Sequence, residues 1–222
     1  MARPLTKRRL AAAVAHIRAR DTAFAPILDY VGPCAFEARR DPFMALVDIV
    51  AAQQVSKYAA ESIRQKLRLR YGDPVDPAKI ARARDASLRA CSLSRAKIVS
   101  VRDLARGVVD GTLDFAALAR LDDAAAIERL VALKGVGRWT AEIYLMFVLG
   151  RPDIFPIGDV ALRKLMRQVY ALAEDAPLPE YLAVAAAWAP YRTVASWYLY
   201  AWINRRRAEA RNSKGSMTET LV

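Results

Sequence analysis

The sequence predicts an all-α protein made of two helical subdomains. Three observations carry the fold class. Of the 222 residues, 55% are hydrophobic, and only 9 Gly and 11 Pro are present to interrupt helices. Apolar residues recur at helical spacing in one segment after another, with no sustained alternation of the strand type. Residues that start helices stand directly before several of these segments. The length is sufficient for one sizeable core or two small domains.

Taken in order, Thr6 caps a first helix running to about Arg20. A shorter helix follows at about Ala23–Val31 and closes on Gly32-Pro33. Asp41 and Pro42 open the next, whose Met44, Val47, Val50 and Ala51 share a face. Ser56 caps a helix to about Arg70, and short helices cover Pro77–Arg82 and Asp85–Ala90. "SLSRAKIVSVRDLARGVVDG" is amphipathic and ends at Gly111, and another short helix surrounds Phe115–Arg120. "DDAAAIERLVAL" leads into a glycine pair and "RWTAEIYLMFVLG" leads out. Further helices are expected at Val160–Ala173, at Pro179–Trp188 and from Pro190 to about Ala210, and residues 211–222 read as a disordered tail.

Charge narrows the function classes. Lys and Arg total 35 against 23 Asp and Glu, a net +12, which suits an anionic partner such as nucleic acid or an acidic membrane surface. No apolar run reaches the roughly 18 residues of a membrane span, and the charged N-terminus lacks the pattern of a secretory signal. Cys34 and Cys91 are too few for a four-thiolate cluster and read as buried, reduced residues of a cytosolic protein. His16 is the single histidine, so a histidine-based metal centre is not expected.

The chemistry begins at "LKGVGRWTAE", Leu133–Glu142. Gly135 and Gly137 break the helical pattern and permit a tight turn between two helices. The second helix then begins near Gly137, Arg138 and Trp139 with free N–H groups and the positive end of its dipole, which suit a phosphate oxygen. Thr140 completes the motif. Backbone carbonyls in the turn, those of Val131, Leu133 and Val136, can hold a sodium or potassium ion beside that phosphate. Such contacts anchor DNA without reading its sequence. Asp159 lies 22 residues beyond Gly137, after a loop containing Pro and Gly, where it caps the following helix.

The combination of "LKGVGRWTA", "FPIGD" and "WAPYRTVASWYLYAW" resembles the helix-hairpin-helix base-excision DNA glycosylases, in particular the DNA-3-methyladenine glycosylases II of the AlkA type. The resemblance covers about Asp41 to Asn204. It implies that Asp159 is the catalytic aspartate, at a helix start whose dipole favours a carboxylate. It implies a monofunctional enzyme, because Trp139 stands where lyase members carry a nucleophilic lysine, and tryptophan forms no Schiff base. It implies an aromatic pocket for flipped, positively charged alkylpurines such as 3-methyladenine and 7-methylguanine. Trp139 and Tyr200 match pocket positions, Tyr200 in place of a tryptophan. Ile143 replaces a pocket tyrosine, and the adjacent Tyr144 is counted with Trp139 and Tyr200 as a pocket residue. Gln54 falls at the wedge position, where the family prototype has an apolar residue, and Gln53 and Ser56 stand beside it as DNA contacts. Arg192 is expected to pair with a carboxylate or a helix end.

The expected organisation is a domain at 41–158 carrying the hairpin, a second formed by 1–40 and 159–210, and Asp159 in the cleft between them. Expected partners are duplex DNA with damaged bases and no membrane, for a monomer without catalytic cofactor or iron–sulfur cluster. The location would be cytoplasmic at the nucleoid, or nuclear in a eukaryote. Two other readings remain: a non-catalytic helix-hairpin-helix DNA-binding protein, and a glycosylase for another damaged base. Mere DNA binding requires neither Asp159 nor the aromatics.

Overall fold

The structure is a computed structural model that describes the backbone of residues 5–219 and the side chains of residues 5–211. Among the described residues the regular elements are helical, and there is no strand. In chain order the α-helices are α1 (Lys7–Arg20), α2 (Ala25–Val31), α3 (Pro42–Ala52), α4 (Lys57–Tyr71), α5 (Pro77–Arg82), α6 (Asp85–Ala90) and α7 (Arg95–Asp110). They continue as α8 (Phe115–Arg120), α9 (Asp123–Val131), α10 (Arg138–Phe147), α11 (Val160–Tyr170), α12 (Leu178–Ala186) and α13 (Arg192–Glu219). No described helix is long and apolar enough to cross a membrane.

Side-chain caps define many of the starts. Thr6, Asp41, Ser56, Ser94, Asp114 and Asp122 each accept an amide from the first turn of the helix that follows. Each such cap stabilises its helix by about 1 kcal/mol relative to alanine. The ends depart from expectation in two places. α11 stops at Tyr170 because Ala171 turns left-handed, with φ 51°. α13 begins at Arg192 and continues through 211–219, where a tail was expected. Glu209 of α13 accepts hydrogen bonds from Tyr30 of α2 and from Arg205. Residues 220–222 of the expected tail lie outside the described residues.

The chain divides into two compact units at Phe36/Glu37 and at Arg151/Pro152, so residues 152–158 fall with the later helices. The first unit, Glu37–Arg151, holds α3 to α10. In it α7 packs on α3 and α5, and α10 packs on α9 and α3. Leu46, Val47, Leu67, Val101, Leu104 and Leu145 are fully buried there. The second unit brings α1 and α2 together with α11, α12 and α13. Its core includes Ile17, Phe24, Trp188 and Leu199.

Asp21 is the polar centre of that second core. Its carboxylate accepts Trp188 Nε1–H at 2.7 Å, the Tyr170 hydroxyl, and the Phe24 amide at 3.2 Å. Burial, followed by the bond to Asp21, pushes the Tyr170 phenol well above its ordinary range. Replacing Asp21 by Ala strands two buried donors, so Asp21→Ala should lower stability by about 3 kcal/mol in urea unfolding. Asp21→Asn, which keeps an acceptor, should cost less.

Candidate nucleic-acid interface and carboxylate site

In the first unit, α9 and α10 meet at the glycine turn. Gly135 has φ +77°, and a Cβ added there would lie 2.2 Å from Ser100 Oγ and 2.8 Å from Ser100 Cβ, both on α7. Glycine is therefore required twice, by backbone conformation and by space. Gly137 serves a different purpose. A Cβ there meets nothing, and no side chain caps α10. The first amides of α10 precede its first helical bond, from Ala141 N to Gly137 O at 3.0 Å, and present the positive helix end outward. Arg138 lies beside this end with its side chain 72% exposed, its Nε donating to Glu142 at 2.9 Å. Burial raises the Glu142 carboxyl above its usual range, and Arg138 opposes that rise.

The neighbouring turn between α3 and α4 is tied to the hairpin. Gln53 Nε2 donates to Gly135 O and to Thr140 Oγ1, each at 3.0 Å. Gln53 and Thr140 therefore spend these side-chain groups on each other and on the turn, and Thr140 is buried. Gln54 is exposed in a left-handed conformation, φ 55°, and Ser56 is the cap of α4, accepting Ala59 N at 3.2 Å. Trp139 is half-buried at the start of α10.

Tyr144 does not suit the pocket role expected of it. It is 0% exposed, and its ring stacks on Phe115 at 6.1 Å between centroids. A helical position so near Trp139 in sequence faces the core, a distinction that adjacency in sequence does not reveal. Of the three carbonyls expected to face a cation, that of Leu133 already accepts Val136 N at 3.2 Å.

The second unit holds the carboxylate. Asp159 precedes α11, where its Oδ1 accepts Leu162 N at 3.0 Å and its Oδ2 accepts the Tyr200 hydroxyl at 2.8 Å. Two residues separated widely in sequence, one expected as catalyst and the other as pocket wall, thus meet directly. The loop leading to Asp159 is pinned to the start of α13. Arg192 forks onto Asp153 through Nε at 2.7 Å and Nη2 at 2.8 Å. Thr193 accepts Ile154 N at 3.0 Å through its hydroxyl and donates its amide to Pro152 O at 3.1 Å. The expected role of Arg192 is filled by Asp153, a partner that local sequence does not identify.

An uncapped hairpin of this kind places the chain in the helix-hairpin-helix class. Residues 47–190 match the family described as HhH-GPD superfamily base excision DNA repair protein. The chain is 34% identical over 165 residues to DNA-3-methyladenine glycosylase 1 of Schizosaccharomyces pombe, covering 73% of this chain and 72% of that protein. A solved structure of the S. pombe 3-methyladenine DNA glycosylase Mag1 with abasic DNA is 30% identical, with TM-score 0.77, covering 86% of this chain and 95% of that one. A DNA-3-methyladenine glycosidase from Bacillus halodurans is 34% identical with TM-score 0.73, covering 85% and 87%. The chain belongs to the HhH-GPD superfamily of base excision DNA repair proteins.

The Gly135 contact yields a direct test. Gly135→Ala should destabilise the protein by about 2–4 kcal/mol, from left-handed strain and from overpacking against Ser100. Adding Ser100→Gly should recover the steric part and leave the strain, as read from urea midpoints of the single and double variants.

Proposed function

We propose that this protein is a monofunctional DNA glycosylase that hydrolyses the N-glycosidic bond of alkylated purines, of the 3-methyladenine and 7-methylguanine type, and leaves an abasic site. The observation that carries the reading is the Asp159 carboxylate, held at the start of α11 with one oxygen on the Leu162 amide and the other on the Tyr200 hydroxyl. Departure of the base develops positive charge on the deoxyribose. An oriented carboxylate stabilises that oxocarbenium-like state and accepts a proton from the attacking water. The amides at the start of α10 hold a backbone phosphate, and the net charge of +12 draws the duplex in. The turn carbonyls are the proposed place for a sodium or potassium ion. Trp139 and Tyr200 supply aromatic faces for an electron-poor, methylated base, and Gln54 fills the space the base vacates.

The protein acts as a monomer on duplex DNA, in the nucleoid or the nucleus. Its relatives named as DNA-3-methyladenine glycosylases support the substrate class.

Single-turnover release of methylated purine from duplex DNA tests the assignment. Asp159→Asn should slow release on the order of a hundred- to a thousand-fold, and Tyr200→Phe by about ten-fold, with DNA affinity retained. Equal release by wild type and Asp159→Asn removes the catalytic role of Asp159. Tight DNA binding without release from any of a panel of lesions favours a binding module. Borohydride added during turnover should trap no covalent enzyme–DNA adduct, because Trp139 offers no amine.

A further inference from the structure

Lys97 lies in the first turn of α7, where its positive charge meets the unfavourable end of that helix's own dipole. Its side chain is spent elsewhere. Nζ donates to Ala51 O at 2.7 Å and to Gln53 O at 2.8 Å, two carbonyls at the end of α3. These belong to the helix terminus that lacks intrahelical donors and favours a cation. Desolvation lowers the Lys97 pKa, in keeping with this packed position.

The segment held in this way is unusual. Immediately beyond Gln53 the chain turns left-handed at Gln54, and residues Gln54 to Tyr58 form a continuous exposed run. That run includes Val55 and a Tyr58 that is 71% exposed. A non-glycine residue at positive φ needs surrounding contacts to hold it. One set comes from Lys97. The other is the Gln53 amide, which bonds the hairpin at Gly135 O and Thr140 Oγ1. One turn along α7 from Lys97, Ser100 lies against Gly135 itself. The same face of α7 therefore carries both the α3–α4 turn and the phosphate-facing hairpin.

We propose that Lys97 is a positioning residue: by clamping the end of α3 it sets the exposed 54–58 tip at a fixed offset from the hairpin, so that phosphate anchoring and insertion of the tip into the duplex occur in one register. It touches no substrate. The hairpin anchors DNA without it, whereas extrusion of the base depends on it. The proposal rests on the glycosylase reading, but its first consequence is a property of the protein alone.

The experiment compares Lys97→Met, Lys97→Arg and Arg102→Met. Arg102 is the control because it donates from the same helix to a different carbonyl, Ala83 O at 2.9 Å. In the protein without DNA, hydrogen exchange of the Gln53 and Val55 amides, which donate to Val50 O and Ala52 O where α3 runs into the tip, should speed by at least about ten-fold in Lys97→Met and stay near wild type in Arg102→Met. With DNA carrying 2-aminopurine beside the lesion, the base-flipping fluorescence and the single-turnover rate should fall about 30-fold in Lys97→Met. Affinity for undamaged duplex should stay within about three-fold. Lys97→Arg, which retains two donors, should recover most of both signals.

Unchanged exchange at the tip in Lys97→Met overturns the clamp. So does a loss of undamaged-duplex affinity parallel to the loss of flipping, or an equal loss in Arg102→Met, because either outcome marks general destabilisation. A wild type that releases no base defeats the glycosylase reading, while the exchange measurement still decides the clamp.

Discussion

The missing methyl group at Gly135 is the constraint on which the hairpin of the first unit depends. Ser100 occupies the space a Cβ would need, so the hairpin backbone rests directly on α7. That approach leaves the Gly135 carbonyl within reach of Gln53, and Gln53 in turn joins the end of α3 to Thr140. Two turns and helix α7, from distant parts of the chain, become one patch, with Gln53, Gly135 and Thr140 satisfying each other's polar groups. Such a network has little tolerance for a lost partner, because each stranded group bears its full desolvation cost.

The second unit solves a different problem. A carboxylate that stabilises developing charge must be oriented before the reaction and must stay accessible. Capping α11 orients Asp159 with a single oxygen, and Tyr200 engages the other. The supporting structure lies behind it. Asp153, Arg192 and Thr193 weld the approach loop to α13, so the start of α11 cannot drift from the helix that carries Tyr200. The helix cap and the proposed catalyst are the same residue in two descriptions.

Much of this was legible in the sequence because it is local. The caps at Asp41, Ser56 and Asp159 lie three residues from the amides they accept, and the glycine spacing announces the hairpin. What was not legible is what depends on packing between segments. Nothing near Lys97 identifies Ala51 and Gln53 as its acceptors, and nothing near Gln53 indicates that its amide faces the hairpin rather than DNA. Tyr144 is a case of the same kind: an aromatic near the hairpin resembles a pocket wall until its neighbour Phe115 is known.

The division at Phe36/Glu37 and Arg151/Pro152 has a consequence for synthesis. Among the described residues the first unit is one uninterrupted stretch, whereas the second joins the early helices α1 and α2 to the last ones. Its bonds from Trp188 to Asp21 and from Tyr198 to Gly32 span most of the chain. As the polypeptide leaves the ribosome, the hairpin unit is complete in sequence at Arg151, while Asp21 waits for Tyr170 and Trp188 and Gly32 waits for Tyr198. The Tyr200 hydroxyl that Asp159 accepts comes from α13, the last helix to be made, whereas the hairpin and its Ser100 and Gln53 contacts are complete in sequence before Arg151.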